Sequence, residues 1–370
     1  MFVFHCLCLY IEKQRVLVEG EYVCMKVYAY YLPQFHQIPE NDIWWGKGFT
    51  EWTNSSAAKP LFTGHRQPQE PLDDNYYNLL NEETIKWQTD LAKKYGVDGF
   101  IYYHYYFTGK KLLEKPAENL LKLNNIQHNF FFCWANHTWY KSVNGQKMVL
   151  QKQKYGSETA WRQHFEYLIP FFQDERYEKI DNKPVFMIFQ QRFKERTRMV
   201  KKFDEWCRDY GFAGIYIIES AMTIYLGKTI FSGLTRQFSL REPNHAKFYS
   251  DLLNKRSSQT QQYLEEQDRA IKIYDGNALF DIMIKRFRKN RKVIHNVFFG
   301  WDNTPRHGSN GYIITSPDKE HVMKYLDLLK DDNMLIVNAW NEWAEGMMLE
   351  PTKENGFKYL EWIREWKNKS

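Results

Sequence analysis

Glu342 and Glu345 stand three residues apart in the run Asn338-Ala339-Trp340-Asn341-Glu342-Trp343-Ala344-Glu345-Gly346. The apolar stretch Met334-Leu335-Ile336-Val337 comes directly before it and reads as a buried strand. Both glutamates therefore fall where a strand ends and a loop begins. Two carboxylic acids a few ångströms apart cannot ionise independently, and their apparent pKa values separate. One can then hold a proton as an acid while the other acts as a base, which is what cleavage of a glycosidic bond requires. The tryptophans on either side supply flat apolar faces that can cover the C–H face of a sugar ring. The plain alternative is a strand end followed by a solvated acidic loop.

Positioning such a pair takes a rigid frame, and the chain carries eight short apolar or aromatic runs that can build one. They are Val27–Leu32, Gly99–His104, Phe130–Ala135, Val185–Gln190, Gly214–Glu219, a weak one near Phe231–Phe238, Val293–Trp301 and Leu335–Trp340. Continuous apolar runs of this length suit strands buried on both faces of a parallel sheet. Between them, Glu82–Tyr95, Glu158–Phe172, Arg198–Tyr210 and Pro317–Lys330 have helical periodicity. Eight strand–helix units predict an α/β fold, a (β/α)8 TIM barrel with enlarged loops at the C-terminal face of the strands. The rival is a doubly wound sheet, which normally shows a glycine-rich turn after its first strand. Here the chain reads Pro33-Gln34-Phe35-His36-Gln37 at that place. The polar stretch 244–271 reads as a barrel helix with a long loop or as a flap over the site.

Composition narrows the classes. Hydrophobic residues make up 43% of the 370 positions, ample for a core, and aromatic residues reach 17% with 13 Trp and 25 Tyr. Tyr and Trp tolerate half-wet positions, so this surplus fits an aromatic-lined cleft. The net charge of +6 is spread along the chain, which argues against a nucleic-acid partner. Five cysteines without a Cys-x-x-Cys pair fit a reducing compartment and give no zinc pattern. Residues 1–24 lack the features of a cleaved signal and are too short in apolar length to span a bilayer. They read as a disordered or non-native extension, with a single catalytic domain over 25–370 in a cytoplasmic protein.

In a barrel the chemistry lies at the carboxyl ends of the strands. Those positions hold Tyr31, Gln34 and His36 after the first strand, Tyr103 and His104 in the second, and Trp134, Asn136, His137 and Trp139 after the third. The seventh contributes Trp301, Asp302 and Arg306, and the eighth Asn341 and Trp343 beside the glutamates. Trp45 and Trp52 belong to the tryptophan-dense segment 44–52, which reads as a loop too polar and glycine-rich for a helix or strand. These side chains hydrogen-bond hydroxyls and stack on rings, as a sugar site requires. All sixteen are taken as substrate-binding, with Glu342 and Glu345 catalytic and no metal or cofactor. His36 and His104 fit a core position equally well. Asp302 fits better as a helix cap or as the partner of Arg306 than as a catalyst. Asp73-Asp74 reads as a turn and helix cap rather than a metal pair.

The motifs Tyr30-Tyr31-Leu32-Pro33-Gln34-Phe35-His36, Trp45 to Asn54, Trp134-Ala135-Asn136, Trp301-Asp302-Asn303-Thr304-Pro305-Arg306 and Asn341 to Gly346 together resemble the WbsX family. Its members are labelled glycosyltransferases and are similar to glycoside hydrolase family 99, the endo-α-mannosidases and endo-mannanases. The resemblance runs from about Met25 to the C-terminus. It implies a metal-free (β/α)8 enzyme of bacterial surface polysaccharide, O-antigen or capsule. The family 99 motif Asn-Glu-Trp-His-Glu-Gly falls on 341–346. By that resemblance Glu345 is the general acid/base, and Glu342 deprotonates the sugar 2-hydroxyl to give a 1,2-anhydro intermediate with retention. Ala344 stands where those hydrolases carry His, and His137 where relatives read Trp-Ala-Asn-Glu.

Three functions remain in view at this level. They are a retaining endo-glycosidase or transglycosylase, a glycosyltransferase, and a glycan-binding barrel without catalysis. A sugar-nucleotide transferase is expected to show a Rossmann glycine turn or an Asp-x-Asp pair after a strand, and neither is legible.

Overall fold

The apolar runs become eight parallel strands: β1 (Lys26–Tyr31), β2 (Gly99–Phe107), β3 (Asn129–Trp134), β4 (Lys183–Ile188), β5 (Tyr216–Ala221), β6 (Arg236–Leu240), β7 (Val293–Phe298) and β8 (Met334–Asn338). The computed structural model describes residues 16–18, 21–23, 25–143, 146–190, 192–221, 236–240, 254–255, 271–290 and 292–369. Val27, Tyr28, Ala29 and Tyr31 in β1, and Leu335, Ile336 and Val337 in β8, are wholly buried, as strands covered on both faces must be.

Pairing is sequential, each strand on the next in parallel, and β8 pairs back onto β1 through Leu335↔Val27 and Ile336↔Tyr28. The result is an α/β fold with a central parallel sheet. Its order leaves no place for the strand reversal of a doubly wound sheet. The weak sixth strand lies slightly later than the sequence indicated, with Phe238 opposite Val293.

Helices connect the strands: α1 (Pro39–Trp45), α2 (Glu51–Ala57), α3 (Glu82–Lys94), α4 (Lys115–Leu120), α5 (Glu158–Gln173), α6 (Arg196–Asp209), α7 (Gly276–Arg286), α8 (Thr304–His307), α9 (Lys319–Asp327) and α10 (Lys358–Lys369). The segment 44–52 departs from expectation. It ends one helix at Trp45 and opens another at Glu51, with a turn between. Pro39 pre-sets the first turn of α1, and Thr50 with Thr53 forms a reciprocal cap on α2. Asp73 and Asp74 sit in the single 3-10 turn Leu72–Asp74 with positive φ, and Asp74 pairs with Lys353 at 2.6 Å. The expected flap at 244–271 lies outside the described residues, apart from the short pairing of Asn254–Lys255 with Ile273 and Tyr274 and from Ile271 itself. Within 1–24, Val16–Val18 pairs antiparallel with Glu21–Val23.

Candidate active site

The β8 motif folds as a tight hairpin. Asn341–Glu342 pairs antiparallel with Met347–Met348, and Trp343–Glu345 forms a single 3-10 turn between them. Gly346 closes the turn at φ 60, where a Cβ would also lie 2.9 Å from the backbone nitrogen of Asp302. Asn341 is fully buried and clamps the hairpin to the end of β1. Its Oδ1 accepts from Leu32 N at 2.7 Å, and its Nδ2 donates to Leu32 O at 3.1 Å. These bonds fix where the two glutamates point.

Both glutamates meet one guanidinium. Arg306 Nη1 donates to Glu345 Oε1 at 2.5 Å and Nη2 to Glu342 Oε2 at 3.2 Å. A third carboxylate shares it: Glu51 Oε1 accepts from Arg306 Nη2 at 2.5 Å and from Nε at 3.1 Å. Gln34 Nε2 lies 3.3 Å from the other oxygen of Glu51. Glu51 is 1% exposed, whereas the Glu345 side chain keeps 21% of its surface.

Three carboxylates around one cation leave negative charge in excess, and burial magnifies its cost. Burial and then the charge of Glu345 push Glu342 up to about 8, against the pull of Arg306. Burial likewise raises Glu51 despite Arg306. Burial opposes the charge on Arg306, but Glu51, Glu345 and Glu342 outweigh it and raise its pKa well above the ordinary value. The resemblance gives the proton-donor role to Glu345, while the carboxyl that this site raises to about 8 is Glu342. Tyr103 and Tyr105 of β2 lie within the field of Glu342, and burial followed by that carboxylate raises both hydroxyls.

Asp302 neither pairs with Arg306 nor holds the cap position, which is Asn303, but stands one residue earlier and braces the entry to the helix. Its Oδ1 accepts from Thr304 N at 3.0 Å and Thr304 Oγ1 at 2.6 Å, which starts the short helix α8 that carries Arg306. Its Oδ2 meets His65 Nε2 at 2.8 Å and Gln67 Nε2 at 2.7 Å. Burial works against this carboxylate, but the bonds from His65, Thr304 and Gln67 hold it below its ordinary value. Trp301 stacks on Tyr312 at 5.6 Å. Trp301 and Asp302 line a cavity of about 480 Å³ with Phe62, His65, Met348 and Tyr359, and neither glutamate is on its wall.

The other expected site residues divide by strand face. Tyr31 is wholly buried and donates to Gln88 on α3 at 2.7 Å. His104 lies against α5, its Nε2 2.8 Å from His164 Nε2, and burial brings it down to about 3. Trp134 donates to Tyr106 O at 3.1 Å and packs on His164. These three face the helix layer. Asn136 is fully buried and ties the ends of β3 and β4 together, accepting from Gln190 N at 2.6 Å and donating to Gln190 O at 3.0 Å. His36 is buried, and burial takes it down to about 4. Trp52 and Trp343 pack on each other at 5.2 Å and donate to Tyr77 O and Glu350 Oε2, so they are rim packing rather than open sugar platforms. Trp45 remains 42% exposed beneath Lys141, His137 is half-buried against Phe189, and Trp139 packs edge-on to Tyr105 at 4.9 Å.

Residues not assigned from sequence complete the picture. Glu51 was visible only as part of the Trp45–Asn54 motif. Tyr105 shares with Tyr103 the face of β2 opposite His104, a relation that the period of two does supply. Glu350 is 3% exposed and accepts from Tyr77, Gln88 and Trp343 at 2.6–2.7 Å, while burial pushes it up to about 7 against those bonds. It anchors the hairpin from below, and nothing in its sequence neighbourhood marks it.

Clustered carboxylates on the loop after the last parallel strand, with tyrosines and a tryptophan beside them, form the kind of site found in carbohydrate-active enzymes. The chain belongs to the glycosyltransferase WbsX family, whose model matches residues 27–363. It is 30% identical over 361 residues to the uncharacterized protein WxcX of Xanthomonas campestris pv. campestris strain B100, covering 91% of this chain and 49% of that one. The WxcX protein of strain ATCC 33913 is also 30% identical, over 375 residues, 95% of this chain and 51% of the relative. The chain thus spans about half the length of the curated relatives it matches. Among solved structures it is similar to a glycoside hydrolase-like protein, with TM-score 0.58 and 12% identity over 96% of this chain and 97% of that one. It is also similar to the GH99 endo-alpha-mannosidase from Bacteroides thetaiotaomicron in complex with bis-tris-propane, with TM-score 0.54 and 15% identity over 92% and 96%. At these identities the likeness is one of fold.

Proposed function

We propose that this chain is a (β/α)8 barrel enzyme of bacterial surface-polysaccharide metabolism, a retaining endo-glycosidase or transglycosylase in which Glu342 and Glu345 carry the reaction. The observation that carries this reading is the meeting of Glu342, Glu345 and Glu51 on the single guanidinium of Arg306. A module that only binds glycan has no use for so much buried like charge, which costs stability.

In the proposed reaction Glu342 takes the proton of the sugar 2-hydroxyl, and the 2-oxygen attacks C1. The bond from C1 to the leaving oxygen breaks as Glu345 gives that oxygen a proton. Water or an acceptor hydroxyl then opens the 1,2-anhydro ring at C1, giving its proton to Glu345 while Glu342 returns a proton to the 2-oxygen. Two inversions leave the anomeric configuration unchanged. A base with a conjugate acid near 8 suits proton removal near neutral pH. Trp45, His137, Trp139, Tyr103 and Tyr105 are the proposed glycan contacts, and the cytoplasm is the proposed location.

The second reading is a glycosyltransferase, favoured by the family description itself. The Gln variants separate the two. Glu345→Gln is expected to abolish cleavage of a natural glycan yet spare the first step on a glycoside whose leaving group needs no proton. Glu342→Gln should lose both. Full activity in either variant overturns the assignment, and nucleotide release from a sugar-nucleotide donor establishes the transferase.

A further inference from the structure

We propose that Glu51 is a positioning residue of this site: by holding the Nε–Nη2 edge of Arg306, it draws the guanidinium away from Glu342 and sets the two hairpin carboxylates in unlike environments. The inference rests on the reading above for its purpose, but its geometry and its test need no glycan.

Arg306 has three donor groups in a fixed planar fork. Glu51 Oε1 takes two of them, Nε at 3.1 Å and Nη2 at 2.5 Å. Glu345 takes Nη1 at 2.5 Å, and Glu342 is left with a shared contact to Nη2 at 3.2 Å. The hairpin glutamates are therefore unequal although one cation serves both. The shorter, unshared contact goes to Glu345, and the long, shared one to the better buried Glu342.

Glu51 can do this because it is fixed from its own side. Its backbone nitrogen donates to Gln34 O at 2.9 Å, and Gln34 Nε2 reaches its second oxygen. It opens α2, whose next residue, Trp52, is packed against Trp343 of the hairpin. At 1% exposure Glu51 is little screened by water, so charge on it acts on the pair more strongly than it would at the surface. Among the described residues, the charged and titratable groups that act on Glu342 are chiefly Glu345 of its own hairpin, Arg306 of α8, Glu51 of α2, and Tyr103 and Tyr105 of β2. Of these, Glu51 both adds negative charge near Glu342 and competes for Arg306, the cation that Glu342 contacts among the described residues. Both effects favour a proton on Glu342, and removing Glu51 reverses both.

The test is a carboxyl titration of the intact chain by carbon NMR after labelling glutamate at Cδ, with Glu342→Gln identifying the resonance. In Glu51→Gln the Glu342 midpoint is expected to fall by at least one pH unit, a tenfold or greater loss of proton affinity. In Glu51→Asp, which keeps the charge but shortens the reach, it should fall by less. A purely structural Glu51 would lower the melting temperature and leave the midpoint in place. An unmoved or raised midpoint overturns the proposal. If Glu51→Gln does not fold, the direction of the Glu51→Asp shift decides by the same criterion. Because no glycan is present, a protein that cleaves nothing still answers this question, and a failed titration leaves the assignment of Glu342 and Glu345 to its own test.

Discussion

Replacing Glu342 by Gln should make the protein more stable, and increasingly so as pH rises. The Glu342 side chain keeps 9% of its surface, and its carboxyl rises from 4.5 to about 8, chiefly through burial. Between those values the folded state holds a proton that the unfolded chain has released. Raising the pH therefore favours unfolding, and the stability present below pH 4.5 is lost progressively up to about pH 8. At about 1.4 kcal/mol per pH unit, the loss is about 3 kcal/mol at pH 7 and about 5 kcal/mol over the whole window. Glu342→Gln keeps the shape, cannot ionise, and so escapes this loss. Melting temperatures of the two proteins measured from pH 5 to pH 9 should converge at the acid end and separate by several degrees at the alkaline end, with the variant higher. A difference that is constant with pH, or a variant that falls behind at high pH, would refute the reasoning that burial and like charge hold a proton on Glu342.

Three further outcomes are expected. If Glu342 is the base, its ionised fraction is about a tenth at pH 7, so kcat/KM should climb with pH through about 8, and a rate independent of pH between 6 and 9 would contradict that role. His104 and His164 are buried against each other, and burial lowers both, His104 to about 3. The unfolded chain therefore takes up protons first, stability falls as pH drops below about 6.5, and His104 alone accounts for about 2 kcal/mol at pH 5; His164→Gln should flatten the acid limb of a melting-temperature profile. Trp45→Ala and Trp139→Ala should weaken glycan binding by on the order of 1 kcal/mol each in calorimetry, whereas Trp52→Ala and Trp343→Ala should cost about 3–5 kcal/mol of stability in denaturant titrations.

Much of this frame is legible in the chain. The apolar runs mark β1 to β5, β7 and β8 because strands covered on both faces need no polar alternation, with the fifth shifted by two residues, and the polar sixth is displaced furthest. The site was legible where the sequence is local. Glu342, Glu345 and Asn341 lie in one hairpin, and their spacing already brings them together. What failed was the choice of face. Tyr31, His104 and Trp134 sit at strand ends, but each points into the helix layer, while Tyr103 and Tyr105 lie on the other face of β2, within the field of Glu342. Aromatic residues occupy both faces of β2, so hydropathy does not say which face is inside, and only the period of two does. Glu51 and Arg306 are 255 positions apart, a relation set by tertiary packing of α2 on α8 and invisible to motif spacing.

The central claim is tested most directly by incubating the protein with the surface polysaccharide of the organism that carries its gene, and following chain length and the anomeric configuration of the first product by proton NMR. The account predicts shorter chains whose new reducing ends first appear with the configuration of the cleaved linkage, and no shortening with Glu342→Gln or Glu345→Gln. Product of inverted configuration, or cleavage that survives loss of either carboxylate, would contradict it.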